Sequence, residues 1–164
     1  MFMDGKEAKK ISEAVKKILN RNRLLTLSTS GKDGSHSNTA FYTFDKDLNL
    51  YIWSEEYTKH SQNLRKNKRV AVNIFDSGQK WGSLLQGLQA FGTAKPVSSK
   101  KDLIIAGILY IKRFPKSLEL VKNPKRFHDK VFESKLYKIE LQEIKVFDEK
   151  TFGKGGSRKI SLKR

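Results

Sequence analysis

Leu50–Val72, LYIWSEEYTKHSQNLRKNKRVAV, reads as a strand, a short helix opened by Thr58-Lys59-His60, and a second strand. The first part is apolar and aromatic, the middle is polar and helix-compatible, and Val70-Ala71-Val72 returns to strand-forming residues. A helix start with these three residues gathers free backbone N–H groups, a hydroxyl and two potential cations at one place. That chemistry suits a phosphate. The plainer reading is a helix cap followed by a surface lysine and a partly packed histidine.

Upstream, Ile11, Ala14, Val15, Ile18 and Leu19 recur at three- and four-residue spacing and predict an amphipathic helix over Asp4 to Asn20. Leu24 to Thr29 is a strand, and Asp33-Gly34 supplies the positive φ of a tight hairpin into His36 to Phe44. Alternation there puts Asn38, Ala40, Tyr42 and Phe44 on one face and Thr39, Phe41 and Thr43 on the other. Asp45-Lys46-Asp47 turns the chain into Leu48 to Trp53.

Downstream, Val70 to Phe75 and a long bent strand over Trp81 to Thr93 are expected, the latter interrupted by Gly82, Gly87 and Gly92. Ser98 or Ser99 caps a helix that ends at Phe114-Pro115. Its apolar run Leu103 to Ile111 is far short of the ~20 residues that cross a bilayer and reads as a buried helix, with an interfacial helix held by its basic flanks as the alternative. A basic helical stretch follows, broken at Asn123-Pro124. The strand from Leu136 to Phe147 changes phase near Gln142-Glu143, where a bulge is expected. The pattern gives an α+β fold, a small antiparallel barrel of about six strands with flanking helices. Its interior would take Leu24/Leu27, Tyr42/Phe44, Ile52, Val70/Val72/Ile74 and Leu84/Leu88. Residues 1–150 form one domain with an N-terminal helix, and 151–164 form a basic, glycine-rich tail, mobile unless a ligand or partner orders it.

Composition narrows the function. The absence of cysteine excludes disulfides, thiolate metal sites and cysteine nucleophiles, and fits a reducing, cytoplasmic setting. No signal peptide is visible in the charged, helical N-terminus. The formal charge of +17 raises a polyanion- or nucleic-acid-binding barrel as a rival. Against it, 26 of the 34 cations are lysine, whereas bidentate readout favours arginine. His36, His60 and His128 share no metal-ligand spacing, so no metal site is expected. No nucleophile elbow, Walker loop or dinucleotide fingerprint occurs.

The element order, with Trp53-Ser54, Thr58-Lys59-His60 and Asn63, resembles the FMN-binding split barrel of the pyridoxamine-5′-phosphate-oxidase-like superfamily. It is closest to the YhbP-like branch. Ala40-Phe41-Tyr42, Glu55-Glu56, Gly87 with Gln89, Arg113-Phe114-Pro115, Glu143-Ile144-Lys145 and Phe152-Gly153-Lys154 match that branch, so the resemblance spans about Ile11 to Lys154. It implies a homodimer with FMN between the subunits. Lys59 and His60 would meet the flavin phosphate, with Thr58 and Asn63 adding hydrogen bonds and the anion holding His60 protonated. Asn38, Thr39, Ala40 and Phe41 would contact the ring system. Trp53 and Ser54 would line the ribityl path, and Gln89, with Trp81 and Gln86, would approach from the later strand or the neighbouring subunit. Ser37-Asn38 stands where the namesake oxidase has an arginine, and a Gly-, Lys- and Arg-rich end stands where it has an arginine- and proline-containing segment; both count against pyridoxal phosphate synthesis. A flavin-dependent oxidoreductase acting on a small molecule is the leading reading. A flavin or haem storage module without turnover is its alternative, and no side chain stands out as a general acid or base.

Overall fold

A computed structural model describes residues 5–118 and 134–162. The stretch around Asn123-Pro124 and His128 lies outside the described residues. The chain opens with α1 (Gly5–Arg21), whose Ile11, Ala14, Val15, Ile18 and Leu19 are buried as their spacing predicts. Strands β1 (Leu24–Gly31), β2 (Gly34–Phe44) and β3 (Leu50–Glu55) follow. Helix α2 (Lys59–Lys66) then leads into β4 (Arg69–Phe75) and β5 (Gln86–Pro96). Helix α3 (Lys100–Arg113) ends at a 3-10 turn over Pro115–Ser117. The described chain resumes with β6 (Ser134–Asp148), a short helix α4 (Glu149–Phe152) and β7 (Ser157–Ser161).

All pairings are antiparallel, in the order β3-β2-β1-β4-β5-β6, and β6 pairs back with β3. Six strands therefore close into a barrel, which leaves few free sheet edges. β6 is long enough to serve two neighbours along one edge. Its Ser134–Ile139 half pairs with β3 and its Glu143–Phe147 half with β7, while β5 runs along the other edge. Phe91 sits opposite Glu143 and Gly92 opposite Leu141, so Gln142 is the extra residue that shifts the side-chain phase. Gly92 is required there, because a Cβ would collide with the carbonyl oxygen of Glu140.

Inward alternation along β1, β4, β5 and β6 buries Leu25, Leu27, Val70, Val72, Ile74, Leu88, Ile144 and Val146 in one core with α1. Leu24 and Leu84, expected inside, are exposed. Leu24 and Leu27 are three residues apart, out of phase on a strand, and Leu25 takes the inward place. The expected strand from Trp81 begins only at Gln86. Residues 76–85 are turns instead: the Gly78 N–H donates to Asp76 Oδ1 (2.8 Å), the Ser83 N–H to the Lys80 carbonyl (3.0 Å), and Gly82 has φ +81. Trp81, in that turn, is fully exposed.

Two further expectations change. The run Leu103–Ile111 is not a buried helix, since Ala106 alone is fully buried in α3. The described part of the basic tail, through residue 162, folds back on the barrel: Asp148 caps α4 through the Thr151 N–H (3.3 Å), Glu149 accepts from the N–H groups of Leu85 (2.8 Å) and Gly155 (2.7 Å), and β7 pairs with β6. Gly153 and Gly155 take positive φ in that turn, so these glycines shape a specific reversal rather than loosen the chain.

Candidate functional site

The barrel is split between β2 and β3. β2 pairs with β1 over Gly34–Phe41, and with β3 only at Tyr42–Ile52, Thr43–Tyr51 and Phe44–Leu50. Beyond that point β3 follows β6, leaving the β2 edge from Ser35 to Phe41 without a strand partner on that side among the described residues. The result is a wedge with Asn38–Phe41 on one wall and Trp53-Ser54 on the other. Its narrow end is held by Tyr110 of α3, whose hydroxyl lies 2.9 Å from the carbonyl oxygens of both Phe41 and Tyr51. Tyr110 packs edge-on against Trp53, and Phe114 packs edge-on against Phe41.

Helix α2 stands beside the wedge. Thr58 is its N-cap, with extended backbone and no side-chain cap bond. Its hydroxyl donates instead to the Glu55 carbonyl (2.8 Å) and lies 3.0 Å from Ser61 Oγ. The first-turn N–H groups thus remain available to a ligand. Ser54 Oγ lies 3.1 Å from Thr58 Oγ1, 3.2 Å from Ser61 Oγ and 2.5 Å from His60 Nε2. Three hydroxyls and an imidazole therefore meet at one helix end, carrying both donors and acceptors.

His60 is buried, and its ring stacks on His36 with centroids 6.1 Å apart. Burial lowers its pKa from 6.5, with the neighbouring His36 adding to that and Glu55 opposing it. Burial thus favours the neutral ring, and an anion at the site would push in the other direction. Lys59 is ion-paired with Asp33 at the β1–β2 hairpin tip, and that contact and charge hold the Asp33 carboxyl below its usual value.

The proposed residues divide by position. Ser54, Thr58, Lys59 and His60 come together at the start of α2. Asn38 and Ala40 lie on the inward face of β2, opposite Leu27 and Leu25, while Thr39 and Phe41 face outward. The buried Asn38 Oδ1 has no hydrogen-bond partner among the described residues. Asn63 belongs to the scaffold: its Nδ2 donates to Thr29 Oγ1 (3.1 Å), and its amide packs on Gly31, where a Cβ would collide with it. Gln89 is elsewhere, on the outer face of β5 opposite Asn73 and Lys145, two strands beyond β1. His36 and Ser61 join the cluster without having been singled out. Ser61 was findable, three residues after Thr58 on a helix. His36 was not, because its meeting with His60 depends on where α2 packs.

Among the described residues no group of three or more His, Asp or Glu could hold a metal ion, and no helix is long and apolar enough to cross a membrane.

Comparison with known proteins agrees with this architecture. Residues 11–145 match the family described as pyridoxamine 5′-phosphate oxidase. A UPF0306 protein of Klebsiella pneumoniae is 28% identical over 144 residues, 87% of each chain. In structure, the chain is similar to a heme binding protein from Mycobacterium smegmatis (TM-score 0.70, 13% identity), covering 92% of this chain and 57% of that one. It is also similar to an FAD-binding protein from Mesorhizobium loti (TM-score 0.59, 18% identity), covering 81% and 89%. The chain thus spans little more than half of the mycobacterial protein, and at these identities both likenesses concern the fold. The closed six-stranded barrel, its split between β2 and β3, and the match over most of the sequence make this chain a member of the pyridoxamine 5′-phosphate oxidase family, in its UPF0306 branch.

Proposed function

We propose that this protein binds FMN, with the phosphate at the N-terminus of α2 and the ring system in the wedge between β2 and β3. One observation carries the reading: the uncapped first turn of α2, ringed by Ser54, Thr58 and Ser61 and flanked by Lys59 and His60, opens beside an unpaired strand edge. A dianionic phosphate matches N–H groups, hydroxyls and cations together. The donor set fits a flavin phosphate, and the unpartnered Asn38 Oδ1 on the wedge wall offers an acceptor to a ring N–H. For phosphate to take Lys59, the lysine must exchange its partner Asp33 for the ligand.

A homodimer with the cofactor between subunits completes the proposal. Leu24, Phe41, Phe75 and Phe91 are exposed on the outer barrel face, alongside Thr39 and Gln89. That face supports a subunit contact through which a second copy brings its Gln89 toward the wedge. Bound FMN would supply the redox chemistry; the chain's own residues hold the phosphate, orient the ring and shield it with Trp53, Tyr110 and Phe114. Oxidation or reduction of a small molecule is the reaction class this arrangement suits.

The test is the visible spectrum of freshly purified protein, with mass analysis of the released ligand. A yellow preparation releasing FMN is the expected result. A colourless protein that ignores added FMN, or one showing a haem Soret band, would remove the proposal.

A further inference from the structure

Helix α3 has its polarity turned outward. Ala106, Tyr110 and Arg113 occupy its inner side, while Leu103, Ile104, Ile108 and Ile111 are exposed, Ile104 at 63% and Ile108 at 61%. At the helical pitch these four side chains and Gly107 share one unbroken arc of about 140°. A helix of a water-soluble domain normally turns such a stripe inward. Cations frame the arc: Lys100 and Lys101 at its start, Lys112 and Lys116 at its end, none ion-paired with a described residue. The single carboxylate of the helix, Asp102, is turned away and pairs with Lys138 at 3.2 Å. The patch is therefore apolar in the middle, positive at both ends, and without an anion among the described residues.

We propose that α3 is a membrane-surface element that lies in the interface of an anionic lipid bilayer. Leu103, Ile104, Ile108 and Ile111 enter the acyl boundary, and the four lysines meet the headgroup phosphates. At 14 residues the helix is about 21 Å long, too short to span and suited to lying flat. The formal charge of +17 draws the whole chain toward such a surface. Charge also decides against α3 of a second copy as the occupant. A two-fold axis that pairs α3 with itself antiparallel sets Lys100 and Lys101 against the partner's lysines at the other helix end. A parallel pairing sets them against their own counterparts, so like charges meet either way.

Co-sedimentation of the full chain with vesicles tests this, using phosphatidylcholine alone and phosphatidylcholine mixed with phosphatidylglycerol. The expected result is binding to the mixed vesicles, little to the neutral ones, and a decline with added salt. The double variant Ile104→Ser/Ile108→Ser keeps every charge and should lose about tenfold or more of that binding. Equal binding by the variant would mean adsorption by charge alone and overturn the proposal. So would failure of the parent to bind, or a parent oligomer that the variant dissociates in light scattering. Because the chain has no cysteine, Ile108→Cys carrying an environment-sensitive fluorophore gives an independent reading. A blue shift on the mixed vesicles is expected, and unchanged emission overturns the insertion even if the double variant misfolds.

Discussion

Helices α2 and α3 both break the rule that helices bury apolar residues, and they break it in opposite directions. α2 buries His60, Ser61 and Asn63 with a single Leu64, whereas α3 exposes Leu103, Ile104, Ile108 and Ile111. The polar groups inside α2 are satisfied within the chain: His60 by Ser54, Ser61 by Thr58 and Ser54, and Asn63 by Thr29. A buried polar group without a partner is costly, so such a network fixes the helix in one position. The apolar groups outside α3 have no comparable partner in the barrel. α3 is held instead by Tyr110 and by Arg113, which donates to the carbonyls of Leu19 (2.6 Å) and Asn22 and stacks on Tyr42 and Phe44. One helix is specified by what it hides and the other is left to meet something else.

The difference can be tested from its strongest consequence downward. Replacing Lys59 and His60 together by alanine should weaken FMN binding about 10²–10⁴-fold, the equivalent of two charge-assisted contacts. Fluorescence titration of the apoprotein measures it, and an unchanged affinity would move the phosphate away from α2. Next, Arg113→Ala should cost about 2–4 kcal/mol in urea unfolding, because it removes the guanidinium from the Leu19 and Asn22 carbonyls and uncovers Tyr42. A loss below half a kcal/mol would show that α3 is held by something other than this docking.

Gly31→Ala should destabilise by about 1–3 kcal/mol through its collision with the Asn63 amide. In a double-mutant cycle with Asn63→Ala the two losses should be clearly less than additive, and strict additivity would separate them. The smallest effect concerns pH. Burial lowers the His60 pKa below 6.5, so below that value the unfolded chain takes up a proton that the folded pocket resists. Stability of the apoprotein should therefore fall as pH drops from 6.5 toward the folded-state pKa, and be independent of His60 above it. His60→Gln should flatten that acid-side slope in thermal melts. Bound phosphate should oppose it too, since the anion favours the protonated ring.

Much of the barrel was legible because its evidence is local. The α1 stripe, the Asp33-Gly34 hairpin, the alternation on β2 and the phase change at Gln142 each follow from short-range periodicity or turn chemistry. Where the reading failed, the missing information was long-range. Nothing in the tail announces that Glu149 will accept from the Leu85 N–H, 64 residues upstream; the turn after Asp76 is the exception, closed by a local contact to Gly78. Leu103–Ile111 reads as buried because a linear run cannot show which side of a helix finds the barrel.

The sequence by itself determined that Thr58, Lys59 and His60 open a helix between two strands, since helix starts and strand alternation are set by neighbouring residues. Only the tertiary structure decided what stands around that start. Strand divergence after Ile52 brings Ser54 to His60, packing of α2 on the β1–β2 hairpin brings His36 and Asp33, and α3 closes the narrow end with Tyr110. Those meetings join residues far apart in the chain. They arise from sheet register and helix docking, which no local pattern encodes.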